Sequence, residues 1–190
     1  MPDVELWDRW RAGDQRAGKA LFERHAPAVL RFFRAKVPES AEDLTQEVFM
    51  RFLRAAAIET APRAFLFGIA RNVMRETFKR RRPDFDDSIT AVADVDAASS
   101  THLRARRSLL TALQVLPFDL QVTIELHYWE GFTSEELAAV LGISASSART
   151  RLTVARERLR ASLSKRFPKR PASDFDDLER WAAMLRDSVK

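Results

Sequence analysis

Three sets of side chains in this sequence have the types and spacings that bind other molecules. Asp43, Gln46 and Glu47 fall at i, i+3 and i+4, which gathers two carboxylates and an amide on one side of an α-helix. Taken alone, such a triplet describes a solvated helix face. Arg71, Asn72, Arg75, Lys79 and Arg80 form a second set, in which the cations neutralise phosphates and the amide can read a base edge. Ser146, Ser147, Arg149, Thr150, Thr153 and Arg156 form the third. On the outer face of a helix, these hydroxyl and guanidinium groups suit the major groove, where N-terminal residues meet base edges and flanking groups clamp phosphates. No nucleophile, base and orienting carboxylate come together in the pattern of a catalytic triad, and no glycine-rich phosphate loop is present. Cysteine is absent and His25, His102 and His127 lie far apart, so neither a metal centre nor a cofactor is expected. The chemistry to expect is binding, not catalysis.

Helices must carry all three sets. Apolar residues recur at helical spacing through Leu21/Phe22, His25, Val29 and Phe32/Phe33, then Leu44, Val48 and Phe52, then Leu66, Ile69 and Val73. A helical bundle follows. Gly13-Asp14 ends an opening helix over about 4–12, Asp14 caps the next helix, Pro27 breaks or kinks it midway and Pro38 closes it. Ser40 to Asp43 resembles a capping box that starts a helix over about 41–56, with Leu44, Val48 and Phe52 pointing inward. Phe65, Leu66, Ile69 and Val73 predict the buried stripe of a further helix, leaving Arg71, Asn72, Arg75 and Lys79 outward.

The pattern resumes at Leu109, Leu113 and Leu116, breaks at Pro117, and continues through Val122, Ile124 and Leu126. Thr133 can cap a helix with Leu137, Ala138 and Leu141 inward, and Gly142 supplies a tight turn. A second helix then starts near Ser144 to Ser146, with Ala148, Leu152, Ala155 and Leu159 as its inner face. Two helices so joined make a helix-turn-helix.

Composition agrees with this organisation. The 190 residues are 46% hydrophobic and 31% charged, as in a folded globular chain. No stretch is apolar for the roughly 18 residues of a membrane span, and the N-terminus lacks a secretory pattern, so no membrane insertion and a cytoplasmic location are expected. The net charge of +5 is unevenly spread: residues 71–82 and 149–170 are two basic runs. Between them, residues 84–100 hold five aspartates and no basic residue, the composition of a flexible acidic linker. The expected fold is all-α, with a helical domain over 1–83, a linker over 84–103, a helix-turn-helix domain over 104–167 and a C-terminal extension over 168–190.

Two stretches resemble one family. Ala41-Glu42-Asp43-Leu44-Thr45-Gln46-Glu47-Val48-Phe49, followed by residues 63–72 and a basic helix end, resembles the second conserved region of bacterial sigma factors of the extracytoplasmic-function group. Residues 113–160 resemble the fourth conserved region, through Leu116-Pro117, Glu130-Gly131, Glu136-Leu137-Ala138, Leu141-Gly142, Ser147 to Leu152, Ala155-Arg156 and Leu159. The resemblance implies that Asp43, Leu44, Gln46 and Glu47 dock on a coiled coil of the largest subunit of core RNA polymerase. It implies that Arg71, Asn72, Arg75, Lys79 and Arg80, with the loop at about 57–63, bind the minus 10 element of promoter DNA and trap an unstacked base. Ser146, Ser147, Arg149, Thr150, Thr153 and Arg156 would bind the minus 35 element, and the linker would thread polymerase near its RNA path. An anti-sigma factor is a further candidate partner that the resemblance brings with it.

A stand-alone helix-turn-helix regulator, whose first domain senses a ligand or dimerises, is the rival reading. It explains residues 109–160 but neither the Asp43-Gln46-Glu47 face nor the first basic helix. A basic protein of membrane surfaces would show Trp, Leu and Lys faces, whereas these basic faces carry hydroxyls and Asn. Beyond the resemblance, Ser173 can cap a final helix with Asp174, Asp176 and Asp177 in its first turn and Phe175, Leu178, Trp181/Ala182, Leu185 and Val189 along one side. That helix is expected to dock on one of the chain's own domains.

Overall fold

A computed structural model of the chain describes residues 1–81 and 111–166. The acidic linker, the start of the second domain up to residue 110 and the C-terminal helix expected from Ser173 lie outside the described residues. The chain divides into two compact units, one of residues 1–83 with 138–142 and the other of residues 84–137 with 143–190. Every regular element among the described residues is helical.

The first unit holds α1 (Asp3–Arg11), α2 (Gln15–Arg34), a 3-10 turn (Pro38–Ser40), α3 (Ala41–Arg54) and α4 (Pro62–Arg81). Asp14 caps α2 as expected: its carboxylate accepts from the Arg16 and Ala17 amides at 2.9 and 3.2 Å and also pairs with Arg9. Gly13, just before it, has φ +99, which glycine adopts without strain. α1 is fastened to α2 by Asp3, whose carboxylate meets the His25 Nε2 at 2.8 Å and the Arg24 guanidinium. Burial beside Arg63 and Arg24 pushes the His25 pKa down, and the Asp3 carboxylate opposes that push. Trp7 and Trp10 close on Phe52, one edge-on at 4.8 Å and one stacked at 6.3 Å. Val29 and Phe33 of α2, Val48 of α3 and Val73 of α4 are fully buried between the helices.

Two expectations for this unit are corrected. Of the break or kink expected at Pro27, the break does not occur: α2 continues as helix from Gln15 to Arg34. The missing N–H of Pro27 frees the carbonyl of Glu23, but both residues are on the exposed side, where water replaces the lost bond. Ser40 does not cap α3 through its side chain. As the last residue of the 3-10 turn it has φ −117 and ψ 5, outside the extended conformation that aims a cap hydroxyl at the free amides. Its Oγ instead accepts from Arg81 at 2.9 Å while Arg81 also pairs with Glu39 at 2.6 Å, so the end of α4 is stapled to the start of α3.

Among the described residues from 111 on, a helical turn at 111–114 is followed by α5 (Phe118–Tyr128), α6 (Ser134–Leu141) and α7 (Ala145–Arg166). Pro117 precedes α5 as the expected break. Thr133 and Glu136 form a reciprocal capping box at α6: the Thr133 amide donates to the Glu136 carboxylate at 2.9 Å and the Glu136 amide to Thr133 Oγ1 at 3.2 Å. Gly142 turns the chain with φ +67, a conformation that a side chain resists. Ala112, Leu113, Leu116, Leu120 and Ile124 pack with Leu152, Ala155, Leu159 and Leu163, so the expected inner face of α7 is observed and runs one turn further. α5 goes beyond the expected Val122, Ile124 and Leu126, since Gln121, Thr123 and Glu125 are buried too. Gln121 donates to Glu125 at 2.9 Å and Thr123 Oγ1 to the Asp119 carbonyl at 2.6 Å, which satisfies polar groups that burial would otherwise penalise.

Candidate functional site

α3 carries the acidic face. Asp43 and Gln46 are exposed. Glu47 is half-buried and accepts from Arg51, one turn on, at 2.6 Å. Leu44 is 6% exposed and belongs to the core, where it seats α3 under that face instead of forming part of its surface. Arg51 also spans to α4, donating to the two Glu76 oxygens at 2.9 and 2.6 Å. The Arg51 guanidinium holds the Glu76 carboxyl below its usual range, and the two carboxylates raise the Arg51 pKa in return.

α4 presents the first cationic set with one correction. Asn72, Lys79 and Arg80 are exposed and Arg75 is half-buried. Arg71 is 8% exposed and does not point outward as expected. Residues 67, 70, 71, 74 and 78 fall at i, i+3, i+4, i+7 and i+11, so Arg71 shares one side of the helix with buried Phe67, Ala70, Met74 and Phe78. The expected stripe is shifted accordingly: Leu66 and Val73 are buried, while Phe65 and Ile69 are half-buried at its edge. Phe65 lies against Phe52, with ring centroids 6.1 Å apart. The loop before α4 is tied to α1 by the Arg11 guanidinium, which donates to the Ala56 carbonyl at 3.3 Å.

α7 presents the second set at its N-terminal end. Ser144 caps the helix, accepting from the Ser147 amide at 3.1 Å, and its hydroxyl lies 2.9 Å from that of Ser146 and 2.8 Å from that of Ser147. Ser146, Ser147, Arg149, Thr150 and Thr153 are exposed. Thr150 and Thr153 each donate back to a carbonyl one turn earlier, at 3.2 Å, which leaves their oxygen lone pairs facing out. Arg149 reaches Glu135 of α6 at 3.5 Å, a loose pair between two well-exposed side chains that a phosphate can displace.

Arg156 differs from the rest of its set. It is half-buried, donates to the Tyr128 hydroxyl at 2.6 Å, lies over that ring at 5.4 Å and approaches His127 Nε2 at 3.3 Å. His127 Nδ1 sits 2.9 Å from the Phe132 carbonyl, which requires the proton on Nδ1 and leaves Nε2 as the acceptor for Arg156. Arg156 is thus held by α5, while its spacing from Arg149 and Thr153, at i+7 and i+3, keeps it on their side of α7. Tyr128, His127 and Arg51 are neighbours of the expected site residues that the sequence patterns do not pick out. Ser144, where the second helix is expected to start, carries a local signal as a hydroxyl two residues after a turn glycine. Among the described residues no group of His, Asp or Glu side chains is arranged to hold a metal ion, and no helix is long and apolar enough to cross a membrane.

Comparison with known proteins agrees with this geometry. Residues 21–83 match the family described as Sigma-70 region 2, and residues 106–159 match Sigma-70, region 4. The RNA polymerase sigma factor CarQ of Myxococcus xanthus is 34% identical over 168 residues, which cover 83% of this chain and 95% of that protein. The ECF RNA polymerase sigma-E factor of Escherichia coli K12 is 27% identical over 176 residues, covering 83% and 92%. Among solved structures, the sigma factor RpoE in complex with the anti-sigma factor NepR, from Bartonella quintana, matches with TM-score 0.59 and 25% identity over 77% of this chain and 96% of that one. With both conserved regions matched in order, and relatives similar over nearly their whole length, the chain belongs to the extracytoplasmic-function group of RNA polymerase sigma factors.

Proposed function

We propose a division of the sigma-factor task among the three surfaces described above. As a sigma factor the chain binds core RNA polymerase, directs it to promoters and promotes opening. Residues 1–83 serve as the polymerase-binding and minus 10 domain, with Asp43, Gln46 and Glu47 on the polymerase and Asn72, Arg75, Lys79 and Arg80 along the separated strand. Residues 104–167 read the minus 35 element through Ser146, Ser147, Arg149, Thr150, Thr153 and Arg156, residues 84–103 link the two domains, and residues 168–190 form an extension. The factor works in the cytoplasm and catalyses no reaction, since nucleotidyl transfer belongs to the polymerase. Its RpoE neighbour was solved with an anti-sigma factor, and a regulator of that kind is part of the proposal for this chain.

One observation carries this reading: α3 exposes an acidic-amide face beside a cationic face on α4, and α6 and α7 form a capped helix-turn-helix. A stand-alone regulator needs only the last of these. The division predicts separable defects. Arg149→Ala weakens protection of the upstream element by about 1–3 kcal/mol if a base contact is lost, or flattens the salt dependence if the contact is a phosphate. Arg156→Ala also lowers the melting temperature, because it removes the bond to Tyr128. Asn72→Ala with Arg75→Ala leaves upstream protection intact and suppresses permanganate reactivity of the melted bases. Normal melting in that double variant contradicts the assignment of α4.

A further inference from the structure

Arg51 centres an ionic cluster that joins two surfaces given different partners above. Its guanidinium lies 2.6 Å from a Glu47 oxygen on α3 and within 2.9 Å of both Glu76 oxygens on α4. Glu76 is exposed and stands one helical turn after Asn72, next to Arg75 and one turn before Arg80. An unneutralised carboxylate there would repel the phosphates that its neighbours attract. Glu47, for its part, could adopt several rotamers if Arg51 did not hold it.

Side chains this exposed, with Arg51 at 38%, Glu47 at 34% and Glu76 at 49%, add little to stability as ion pairs. Their effect is on orientation and local field. The planar fork of Arg suits it to two carboxylates at once, which a lysine ammonium on its flexible stem does not match in geometry.

We propose that Arg51 is a positioning residue for both interfaces: it fixes the Glu47 carboxylate on the polymerase-facing side of α3 and cancels the charge of Glu76 within the strand path on α4. The proposal rests on the assignment of α3 to polymerase and of α4 to the minus 10 strand. When a polymerase cation takes Glu47, Arg51 is left wholly to Glu76, so docking on polymerase further clears the strand path of negative charge. Polymerase binding and strand capture are therefore favourably coupled through one side chain.

The test uses the full-length chain with core polymerase, and as probe a fork-junction DNA carrying the single-stranded minus 10 segment of a promoter mapped for this factor. Arg51→Gln is expected to weaken fork binding by the holoenzyme about tenfold, on the scale of one lost phosphate contact. It is also expected to weaken the factor's affinity for polymerase severalfold. Adding Glu76→Gln to Arg51→Gln should restore fork binding and leave polymerase affinity weak. A residue that only braced the helices would give no such selective rescue. Arg51→Lys, which retains the charge, should keep fork binding near wild type while lowering polymerase affinity. Unchanged fork binding in a folded Arg51→Gln protein, or a fork defect that Glu76→Gln does not relieve, overturns the strand-path half. Unchanged polymerase affinity overturns the Glu47 half. Lys79→Ala and Asp43→Asn serve as controls for the assignments beneath the proposal. If Lys79→Ala leaves fork binding intact, or Asp43→Asn leaves polymerase affinity intact, the assignment of that surface has failed; if both weaken and Arg51→Gln changes nothing, only the role of Arg51 has failed.

Discussion

The variant carrying Asp43→Lys and Glu47→Lys loses about 2–5 kcal/mol of affinity for core polymerase, the scale of charged contacts buried when an interface forms. Its fold survives. Asp43 is exposed, Glu47 is half-buried at the surface, and Arg51 retains its two bonds to Glu76 when Glu47 is replaced. The stability change from losing the exposed Glu47–Arg51 pair stays near or below about 1 kcal/mol. Titration of labelled polymerase with each protein, alongside a melting curve, checks both halves. A folded double variant with wild-type affinity would favour a regulator that acts without polymerase.

Phe67→Ala is expected to have the largest effect on the fold, costing about 3–5 kcal/mol as a large side chain deleted from a packed core. Phe67 is 1% exposed and meets Phe32 of α2 edge-on at 6.2 Å. It sits on the buried side of α4, so its loss loosens the helix that displays Asn72 and Arg75. The first unit should melt at least about 10 °C lower, since each kcal/mol is worth several degrees in a domain of this size. An unchanged melting temperature would show that α4 is not held by this contact.

How far the sequence reaches depends on the distance over which each feature is decided. The Asp43-Gln46-Glu47 face is legible because helical spacing alone puts those residues together. The Thr133 cap, the Gly142 turn and the inner face of α7 are legible for the same reason, each being set by residues within a few positions of one another. Arg71 is misplaced by the rule that a charge faces solvent, whereas the periodicity through Phe67, Met74 and Phe78 carries it inward. Ser40 is misplaced because its partner is Arg81, at the far end of another helix, and no local pattern signals that bond. The grip of Tyr128 on Arg156 and of Arg51 on Glu76 likewise spans 28 and 25 residues. Pro27 favours a break locally, but tertiary packing carries the helix past it at the cost of one carbonyl left to water. The family itself is visible from the order of two local patterns.

Start-site-specific transcription measures most directly whether this chain acts as a sigma factor. Purified core polymerase alone should give no discrete product from a promoter mapped by overexpressing the factor. Addition of the chain should produce a run-off transcript of one defined length, and the Asp43→Lys, Glu47→Lys variant should not. If the purified chain binds the same DNA by itself with high affinity but yields no transcript with polymerase, it acts as a stand-alone regulator and the polymerase-dependent role is contradicted.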